Sequence, residues 1–375
     1  MASFKIAENI YSVGIVDKEV RIFHGYETPY GSTYNSYLII DEKISLVDNV
    51  KGKFTDEFIA NISEICPLEK IDYIITNHIE PDHSGSIEKV ASLAPNAKII
   101  ATAAAIRGLG GYYHLDNSRM QAVKAGDTLC TGKYNFHFVP MPMVHWPDSM
   151  CTYLAEEKML FSNDAFGEHY GSDFHFDDEV PADFLEDCME NYYGNIVLPF
   201  GMQVLKIIEA ASKLDIKMIL PSHGLILRGD LSKYIAKYVD YANNVCDEKK
   251  AIIIYDTMWG ATELMAEQLK KDWEAEGLNV EVYKLSDVHY SIAMGKCTSA
   301  KYIAVGSSTL NRQMMPTVSA FLCYMKGLQP KGRTGLAFGS YGWSGESINL
   351  VEKELEACGM EILPQRKTTW KNGLI

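Results

Sequence analysis

Residues 71–94, IDYIITNHIEPDHSGSIEKVASLA, decide how the first half of the chain is interpreted. They begin as an apolar strand, IDYIIT, and end as a helical pattern, SIEKVASLA, with a polar cluster from Asn77 to Ser84 between the two. The end of a strand projects side chains into a cleft, where a loop is free to converge on an ion. The cluster therefore predicts a metal site with four candidate ligands within six residues: His78, Glu80, Asp82 and His83.

Three more candidate ligands follow in separate segments of the same half. His145 lies in PMVHWPD, Asp164 in FSNDAFG and His223 in LPSHG, and the last two again follow strand-like runs. Four imidazoles and three carboxylates exceed what one four-coordinate ion needs, but they fit two ions that share a bridging carboxylate. Nitrogen and oxygen ligands without a thiolate suit iron, manganese or zinc.

The two halves of the chain differ in pattern, which predicts two domains. Residues 1–245 contain nine of the ten histidines, and their mixture of short strands and helices favours a sheet sandwich covered by helices. From residue 251 onwards strand and helix alternate, which is typical of a doubly wound parallel sheet. The most polar stretch between them, 246–250, sets the predicted domains at 1–248 and 251–375.

Three loops at the ends of predicted strands indicate FMN in the second half. DTMWGAT (256–262) leads into a helix, whose N-terminal N–H groups and hydroxyls form an anion site. It resembles the flavodoxin phosphate loop S/T-x-T-G-x-T, with Trp259 in place of the middle Thr. GSSTLNRQMMP (306–316) and GSYGWSG (339–345) add small polar residues and aromatic walls for a flat ring. No G-x-G-x-x-G follows a strand, which argues against a nicotinamide site. The predicted cofactor-binding residues are Thr257, Met258, Trp259, Gly260, Ala261, Thr262, Ser307, Thr309, Leu310, Asn311, Ser340, Tyr341, Gly342 and Trp343.

Composition and charge narrow the class of protein. A chain of 375 residues is too long for one ordinary core. The net charge of −14 argues against nucleic-acid binding, which needs a basic surface. Neither a signal peptide nor an apolar run of 18 residues is present, so we expect a cytoplasmic protein without a membrane span.

Two further features concern the cysteines and the C-terminus. The eight cysteines form no C-x-x-C pair, so we expect reduced thiols and no fused rubredoxin-like module. The chain stops at TTWKNGLI, shortly after the last predicted strand, MEILP. The helix expected over that strand is therefore either supplied otherwise or lost because the sequence is cut short.

The ligand pattern resembles the metallo-β-lactamase superfamily, whose usual signature is H-x-H-x-D-H followed by separate His, Asp and His ligands. Glu80 stands where that signature has its second His, and an added carboxylate favours iron that cycles between ferric and ferrous states. This substitution is the hallmark of the flavodiiron proteins, which the chain resembles over nearly its whole length. The resemblance implies an α/β protein with an N-terminal αββα sandwich followed by a C-terminal flavodoxin-like sheet.

The resemblance also implies roles for individual residues. It places His78, Glu80 and His145 on one iron, Asp82, His83 and His223 on the other, and Asp164 between them. It further implies that His24 and Tyr193 line the pocket over the metals, where they would hydrogen-bond a species derived from O2 or NO. By themselves these two residues would be interpreted as core or surface residues.

The activity implied by this family is the reduction of O2 to water, of NO to N2O, or of both, with electrons passed from FMN to the irons. The electrons come from an external donor such as rubredoxin or a reduced deazaflavin cofactor. The family pattern is a head-to-tail homodimer, or a dimer of such dimers, in which the FMN of one subunit faces the irons of the other.

Two alternatives remain open from the residues alone. The chain could be a di-zinc hydrolase of the metallo-β-lactamase type with an accessory flavodoxin domain, in which a metal-bound hydroxide attacks the substrate. It could also be an electron-transfer flavoprotein with a vestigial metal site. Glu80 and the flavodoxin-like half argue against the first, and the complete set of seven ligands argues against the second.

Overall fold

The computed structural model describes residues 3–369 of the chain, and these form two compact units. The first unit comprises residues 3–21, 28–189 and 202–238. The second comprises residues 239–369 together with two short earlier segments, 22–27 and 190–201. A division by sequence alone at residues 246–250 does not anticipate these two segments, because it treats each half as continuous.

The strands and helices are numbered in chain order. The strands are β1 (Phe4–Ala7), β2 (Ile10–Ser12), β3 (Ile15–Asp17), β4 (Ile22–Phe23), β5 (Tyr26–Glu27), β6 (Ser32–Tyr34), β7 (Tyr37–Ile39), β8 (Ile44–Val47), β9 (Ile71–Ile75), β10 (Lys98–Thr102), β11 (Met120–Val123), β12 (Thr128–Cys130), β13 (Asn135–Pro140), β14 (Met150–Leu154), β15 (Met159–Asn163), β16 (Met218–Pro221), β17 (Asp247–Asp256), β18 (Asn279–Lys284), β19 (Ala300–Ser308), β20 (Thr334–Tyr341) and β21 (Glu361–Thr369). The α-helices are α1 (Thr55–Ser63), α2 (Pro81–Ser84), α3 (Ile87–Leu93), α4 (Ala103–Tyr112), α5 (Ala182–Tyr192), α6 (Gly201–Ala211), α7 (Leu231–Ala242), α8 (Ala261–Ala275), α9 (Tyr290–Lys296), α10 (Pro316–Leu328) and α11 (Glu346–Ala357).

The first unit is a sandwich of two sheets with helices outside. One sheet has seven strands in the order β1-β2-β7-β8-β9-β10-β11, and the other has five in the order β12-β13-β14-β15-β16. The core between the sheets combines aliphatic residues such as Val47, Ile75 and Ile100 with aromatic residues such as Phe136 and Phe161. Burying such side chains stabilises the unit by about 1.5–3 kcal/mol for each large residue. The expected sheet sandwich is confirmed.

The parallel strands of this unit position the metal-site loops. Strands β8, β9 and β10 run parallel, and so do β15 and β16 in the other sheet. Because parallel strands end at the same edge of a sheet, the loops after β9, β15 and β16 emerge at defined edges of the sandwich. Asp48, which follows β8, accepts hydrogen bonds from the backbone and side chain of Asn77 at 2.7 and 3.0 Å and so holds the start of the loop after β9.

The second unit contains a five-stranded parallel sheet. Its strand order is β18-β17-β19-β20-β21. The first strand, β17, therefore pairs with β18 on one side, and β19, β20 and β21 follow in order on its other side. This is the flavodoxin-like order, in which ligands bind beyond the carboxyl ends of the strands where the winding direction changes. Strand β17 is apolar and fully buried from Ala251 to Ile254, as expected for the central strand of such a sheet.

Three local features differ from the sequence-based expectation. The polar stretch around 247–250 is not a linker but the exposed beginning of β17. A short helix, α9, lies between β18 and β19, where no helix was predicted because its seven residues are too few for a clear helical period. The last strand continues past MEILP to Thr369, since edge pairing with β20 accommodates the polar residues that follow.

The C-terminal residues 370–375, which carry most of the TTWKNGLI segment, lie outside the described residues. Within residues 3–369, no helix combines the length and the apolar character needed to cross a membrane.

Candidate metal centre and flavin cleft

The seven predicted metal ligands come from four segments of the first unit and are brought together in space. The loop after β9 and the short helix α2 carry four of them, the loop before β14 carries His145, and Asp164 and His223 follow β15 and β16. Six of the seven are buried, and His145 is partly exposed, with 13% of its side chain accessible. Residues as distant in the sequence as 78 and 223 therefore belong to one cluster in the structure.

The first group of ligands consists of His78, Glu80, His145 and Asp164, which offer ligand atoms within 4.8 Å of one another. The Nε2 atoms of His78 and His145 lie 3.3 and 3.1 Å from Oε2 of Glu80. The same two nitrogens lie 3.7 and 3.5 Å from Oδ2 of Asp164. Four donors facing one point at these separations match the ligand set of a single ion.

The second group consists of Asp82, His83 and His223. The Nε2 atoms of His83 and His223 lie 3.3 and 3.1 Å from Oδ2 of Asp82. They lie 3.1 and 3.6 Å from Oδ1 of Asp164. Asp164 thus turns one carboxylate oxygen towards each group, which is the arrangement of a carboxylate that bridges two ions.

Hydrogen bonds to the far sides of two histidines orient their rings. Oδ2 of Asp148 lies 2.8 Å from Nδ1 of His78 and accepts a hydrogen bond from the backbone N–H of Ile79 at 2.9 Å. Nδ1 of His223 lies 2.6 Å from the backbone carbonyl oxygen of Thr33. With Nδ1 occupied in this way, Nε2 of each ring is directed into the cluster, as metal-binding histidines require.

The charges in the cluster are balanced by protons on the histidines. Burial by itself would lower the pKa of His78, but hydrogen bonds with Asp148 and Glu80 raise that pKa to about 10. Burial likewise opposes protonation of His145, yet Asp164 and Glu80 raise its pKa to about 10. Burial would raise the pKa of Asp164, but His83 and His145 hold it well below its ordinary value. The carboxylates of the site are therefore ionised, and their negative charge is balanced by protonated histidines or by a bound cation.

These observations support a good fit between the residues and two metal ions. Buried carboxylates are stable only when they are paired or bound to metal. Oδ1 of Asp82 accepts no hydrogen bond from the residues that the structure describes, although it is shielded from water, and Oδ2 faces only the Nε2 atoms of His83 and His223. An atom in this state is suited to bind a cation placed between it and the neighbouring Nε2 atoms.

The surroundings of the cluster include residues that sequence analysis did not single out as functional. Asp148 stands three residues after His145, and its position in PMVHWPD was the available signal. The ring of His169 lies 4.8 Å from that of His223, and its Nδ1 lies 2.7 Å from the hydroxyl of Ser32. Trp146 contacts the ring of His78 edge-on at 5.2 Å.

The two residues expected to line the pocket, His24 and Tyr193, belong to the second unit. His24 lies in the exposed turn between β4 and β5, with φ of 50°, and its ring lies 4.2 Å from that of Phe23. Tyr193 begins a π-helical turn, is fully buried, and packs 5.1 Å from Tyr241. Burial raises the pKa of Tyr193, so its phenol stays protonated at neutral pH. Their placement over the metals stays a prediction.

A separate cleft lies in the second unit at the carboxyl ends of β17, β19 and β20. It consists of two adjoining cavities of about 430 and 470 Å³, within the range of small-molecule sites. The residues lining both cavities are Met258, Thr309, Gly342 and Trp343. The first cavity adds Trp259, Ala261, Ser308, Ser340 and Tyr341, and the second adds Leu310, Asn311, Arg312 and Ser344.

Hydroxyl groups tie the three loops of this cleft together. The hydroxyl of Thr262 lies 3.0 Å from that of Ser308 and 2.8 Å from that of Ser340. Gly260, with φ of 84°, caps the N-terminus of α8 and donates its N–H to the hydroxyl of Thr257 at 3.1 Å. The positive φ suits glycine at this turn. The loop thus presents backbone N–H groups at a helix N-terminus, as a phosphate site requires.

The cleft walls fit a planar ring. The side chains of Trp259 and Trp343 are 77% and 91% exposed, and exposed aromatic faces of this size mark binding surfaces. Most of the predicted cofactor-binding residues lie at the cleft or in its loops. Ser307 does not face it, because its hydroxyl is buried and hydrogen-bonded to the backbone of Ser308 and Met315. Ser308 lines the cleft in its place.

Comparisons with known proteins find similarity over both units. The model of the ODP family beta lactamase matches residues 33–224, and the flavodoxin family model matches residues 253–370. A nitric oxide reductase from Moorella thermoacetica is 40% identical over 364 residues, which cover 96% of this chain and 91% of the relative. The structure of rubredoxin oxygen:oxidoreductase from Desulfovibrio gigas has a TM-score of 0.95 and 36% identity, over 98% of this chain and 93% of that chain. The crystal structure of the flavodiiron protein from Giardia intestinalis has a TM-score of 0.95 and 34% identity, over 100% of this chain and 93% of that chain.

These likenesses extend over both units and confirm the fold class expected from the ligand pattern and the strand-end loops. The chain belongs to the flavodiiron protein family.

Proposed function

We propose that this chain is an oxidoreductase that reduces O2 to water, NO to N2O, or both, at a di-iron centre that receives electrons from FMN. The observation that carries the proposal is the placing of the two oxygens of Asp164, one towards each group of ligands. His78, Glu80 and His145 would hold one iron, Asp82, His83 and His223 would hold the other, and Asp164 would contribute one oxygen to each.

The residues around the irons hold them in place and set their charge. Asp148 and the carbonyl of Thr33 keep Nε2 of His78 and His223 available for the metals. Glu80 adds a carboxylate to the first group, and the extra negative charge favours the ferric state. When bound, the irons and FMN supply the electron transfer to the diatomic substrate.

Four electrons and four protons convert O2 to two water molecules, and two of each convert two NO molecules to N2O and water. Within the proposed active site, His24 and Tyr193 are the groups assigned to hydrogen-bond the reacting species. We assign the metal site and the FMN site to separate domains, predicted from the sequence at residues 1–248 and 251–375, with the start of β17 at Asp247 belonging to the FMN domain.

Electron supply requires an external partner. Rubredoxin fits as the donor, and a reduced deazaflavin cofactor is the alternative. We further propose a head-to-tail homodimer, alone or paired into a dimer of dimers, in which the FMN of one subunit faces the irons of its partner. A cytoplasmic location stays a prediction from the sequence.

The competing hydrolase function is disfavoured by the metal site itself. In the first group, Glu80 contributes a carboxylate where the hydrolase signature has an imidazole. The flavin cleft has no role in hydrolysis. Metal analysis and visible absorption separate the two functions: a yellow protein with two irons and one FMN per chain supports the oxidoreductase, whereas a colourless zinc protein contradicts it.

The direct test is anaerobic reduction of the loaded full-length protein followed by stopped-flow mixing with O2 and, separately, with NO. We expect reoxidation of FMN within the mixing experiment for at least one gas, with water or N2O as product. Failure of both gases to reoxidise the reduced protein, with iron and FMN both present, would overturn the proposal.

A further inference from the structure

The wall of the flavin cleft contains a tight turn whose sequence is unusual for its shape. Leu310 and Gln313 exchange backbone hydrogen bonds of 2.9 Å in both directions, so Asn311 and Arg312 form a two-residue turn. Both central residues have positive φ, 51° and 62°. Turns with two such residues favour Asn followed by Gly. Arginine at the second position has no local conformational reason to be there.

The charge and position of the Arg312 side chain suggest a functional reason for arginine at this position. Of all the residues that line the two cavities of the cleft, Arg312 is the one with a charge. It forms no salt bridge within 4.0 Å of a carboxylate among residues 3–369, although its charge adds to the hydrogen bonds of Ser344 and the local backbone in lowering the pKa of Glu346. A guanidinium at the wall of a cleft otherwise lined by uncharged residues such as Met258 and Trp343 provides a positive charge for a ligand.

The two cavities indicate which end of the ligand meets this charge. The phosphate loop contributes Trp259 and Ala261 to the first cavity, next to Ser308 and Ser340. Arg312 lines only the second cavity, with Asn311 and Ser344. Met258 of the same loop lines both cavities, so a ligand whose phosphate lies at the N-terminus of α8 would have the second cavity, with Arg312, open to its ring.

We propose that Arg312 is a positioning residue that stabilises the reduced form of the FMN ring and thereby raises its redox potential. The inference rests on the proposed function in one respect, that FMN occupies this cleft. Two electrons and one proton convert the neutral ring to an anion, and a nearby fixed charge tunes the electronics of such a ring. A cation beside the ring favours the anion over the neutral form by Coulomb attraction.

The test compares Arg312→Gln, which removes the charge, with Arg312→Lys, which keeps it. The dissociation constants of FMN from the full-length protein are measured for the oxidised ring and, after dithionite reduction, for the reduced ring. In Arg312→Gln the ratio of reduced to oxidised constants rises about tenfold, which lowers the two-electron potential by about 30 mV. In Arg312→Lys the ratio stays close to that of the unchanged protein.

Two control variants distinguish the effect of the Arg312 charge from a change in backbone conformation and from a change in the net charge of the protein. Arg312→Gly removes the charge but suits the positive φ, so it shifts the ratio as Arg312→Gln does while raising the thermal stability. Lys271→Ala removes an equal charge from the exposed surface of α8, outside the cleft lining, and leaves the ratio unchanged. The difference between Arg312→Gln and the unchanged protein shrinks at high salt, because mobile ions screen an exposed charge.

Several outcomes overturn this inference without touching the proposed function. One is an unchanged ratio in both Arg312→Gln and Arg312→Gly with FMN still bound. Another is an equal loss of affinity for the oxidised and reduced forms, with riboflavin binding unaffected, since that result places the guanidinium on the phosphate. Failure of the unchanged protein to bind FMN at all would instead contradict the proposed function.

Discussion

The metal centre of the first unit is buried and built from charged side chains, whereas the flavin cleft of the second unit is open and built from hydroxyls, backbone and aromatic rings. In the metal centre, Asp82 and Asp164 are almost completely shielded from water. In the cleft, Trp259 and Trp343 are mostly exposed, and Arg312 is the one charged residue of the lining. The two sites have different requirements: buried charges need a counter-ion, whereas an open cleft binds its ligand through shape and hydrogen bonds.

This difference shows why each site responds differently to change. A ligand lost from the metal centre leaves other buried charges without a partner, so the whole centre is affected. A hydroxyl lost from the cleft removes one of several parallel contacts.

Replacing His145 by Asn tests whether the two sites are independent. The variant loses a ligand of the first group, so we expect low iron content and gas reduction at background level, with FMN content unchanged. Metal analysis, FMN absorbance and O2 or NO consumption measure the three properties. His114→Asn, at an exposed position outside the cluster, is the matched control. Turnover in His145→Asn equal to that of the unchanged protein would show the metal assignment to be wrong.

The uptake of iron by metal-free protein should depend steeply on pH. The pKa values of His78 and His145 are raised to about 10 and that of His83 to about 9, so these rings carry protons at neutral pH when no metal is bound. Metal binding needs neutral imidazoles and releases those protons. Affinity for Fe²⁺ should therefore rise between pH 6.5 and 9, by about tenfold per pH unit for each proton released. Anaerobic titrations in buffers of different ionisation enthalpy count the protons, and an affinity independent of pH would contradict the charge balance described.

The same shifts predict the pH dependence of folding without metal. Because the folded pKa values lie above the ordinary 6.5 of histidine, the protonated rings stabilise the metal-free fold fully below pH 6.5. That contribution disappears as the pH rises through 9 and 10. Thermal unfolding of metal-free protein should show a falling melting temperature over this range, whereas a melting temperature that rises there would contradict the pKa directions.

Replacing Asp148 by Asn tests the outer support of the metal centre. The carboxylate accepts from His78 and Ile79, and its loss weakens the orientation of the His78 ring. We expect iron affinity to fall by about 10–100-fold, the usual effect of such partners. Asp178→Asn, at an exposed carboxylate paired with Arg228, serves as the control. Equal iron affinity in both variants would remove Asp148 from the metal centre.

Replacing Thr262 by Val tests the cleft and should have the smallest effect. The change keeps the shape of the side chain but leaves the hydroxyls of Ser308 and Ser340 each short of one partner. We expect a loss of about 1–3 kcal/mol in the free energy of unfolding of this unit and weaker FMN binding, with iron content unchanged. Chemical denaturation and FMN titration measure both. Thr128→Val, exposed in the first unit, is the control, and an equal FMN affinity in the two variants would contradict the role of this hydroxyl.

The functional residues that can be predicted from the sequence are those that form a dense local pattern. His78 to His83 lie within six residues after a strand, and the loops after β17, β19 and β20 each carry a recognisable set of small and aromatic residues. Residues whose role depends on contacts between distant segments cannot be predicted in this way. Asp148 resembles any loop aspartate until its carboxylate is seen beside Nδ1 of His78. His169 is a single histidine until its ring is seen beside His223.

The secondary structure, too, was predictable only where the sequence pattern extends over many residues. Buried strands such as β17 and long amphipathic helices such as α8 were evident because their apolar period extends over many residues. The short helix α9 and the extension of β21 were not evident, because tertiary packing and edge pairing decide them. The recruitment of residues 22–27 and 190–201 into the second unit likewise has no signal in local periodicity.

The sequence by itself determined the two-domain α/β character of the chain, the seven candidate metal ligands and the three loops of the predicted flavin cleft, because residue type and spacing carry that information. Only the tertiary structure decided that Asp164 turns one oxygen towards each ligand group and that Arg312 stands alone as the charge of its cleft. The physical reason is that the direction of a side chain and the charge balance of a site depend on which distant segments the fold brings together.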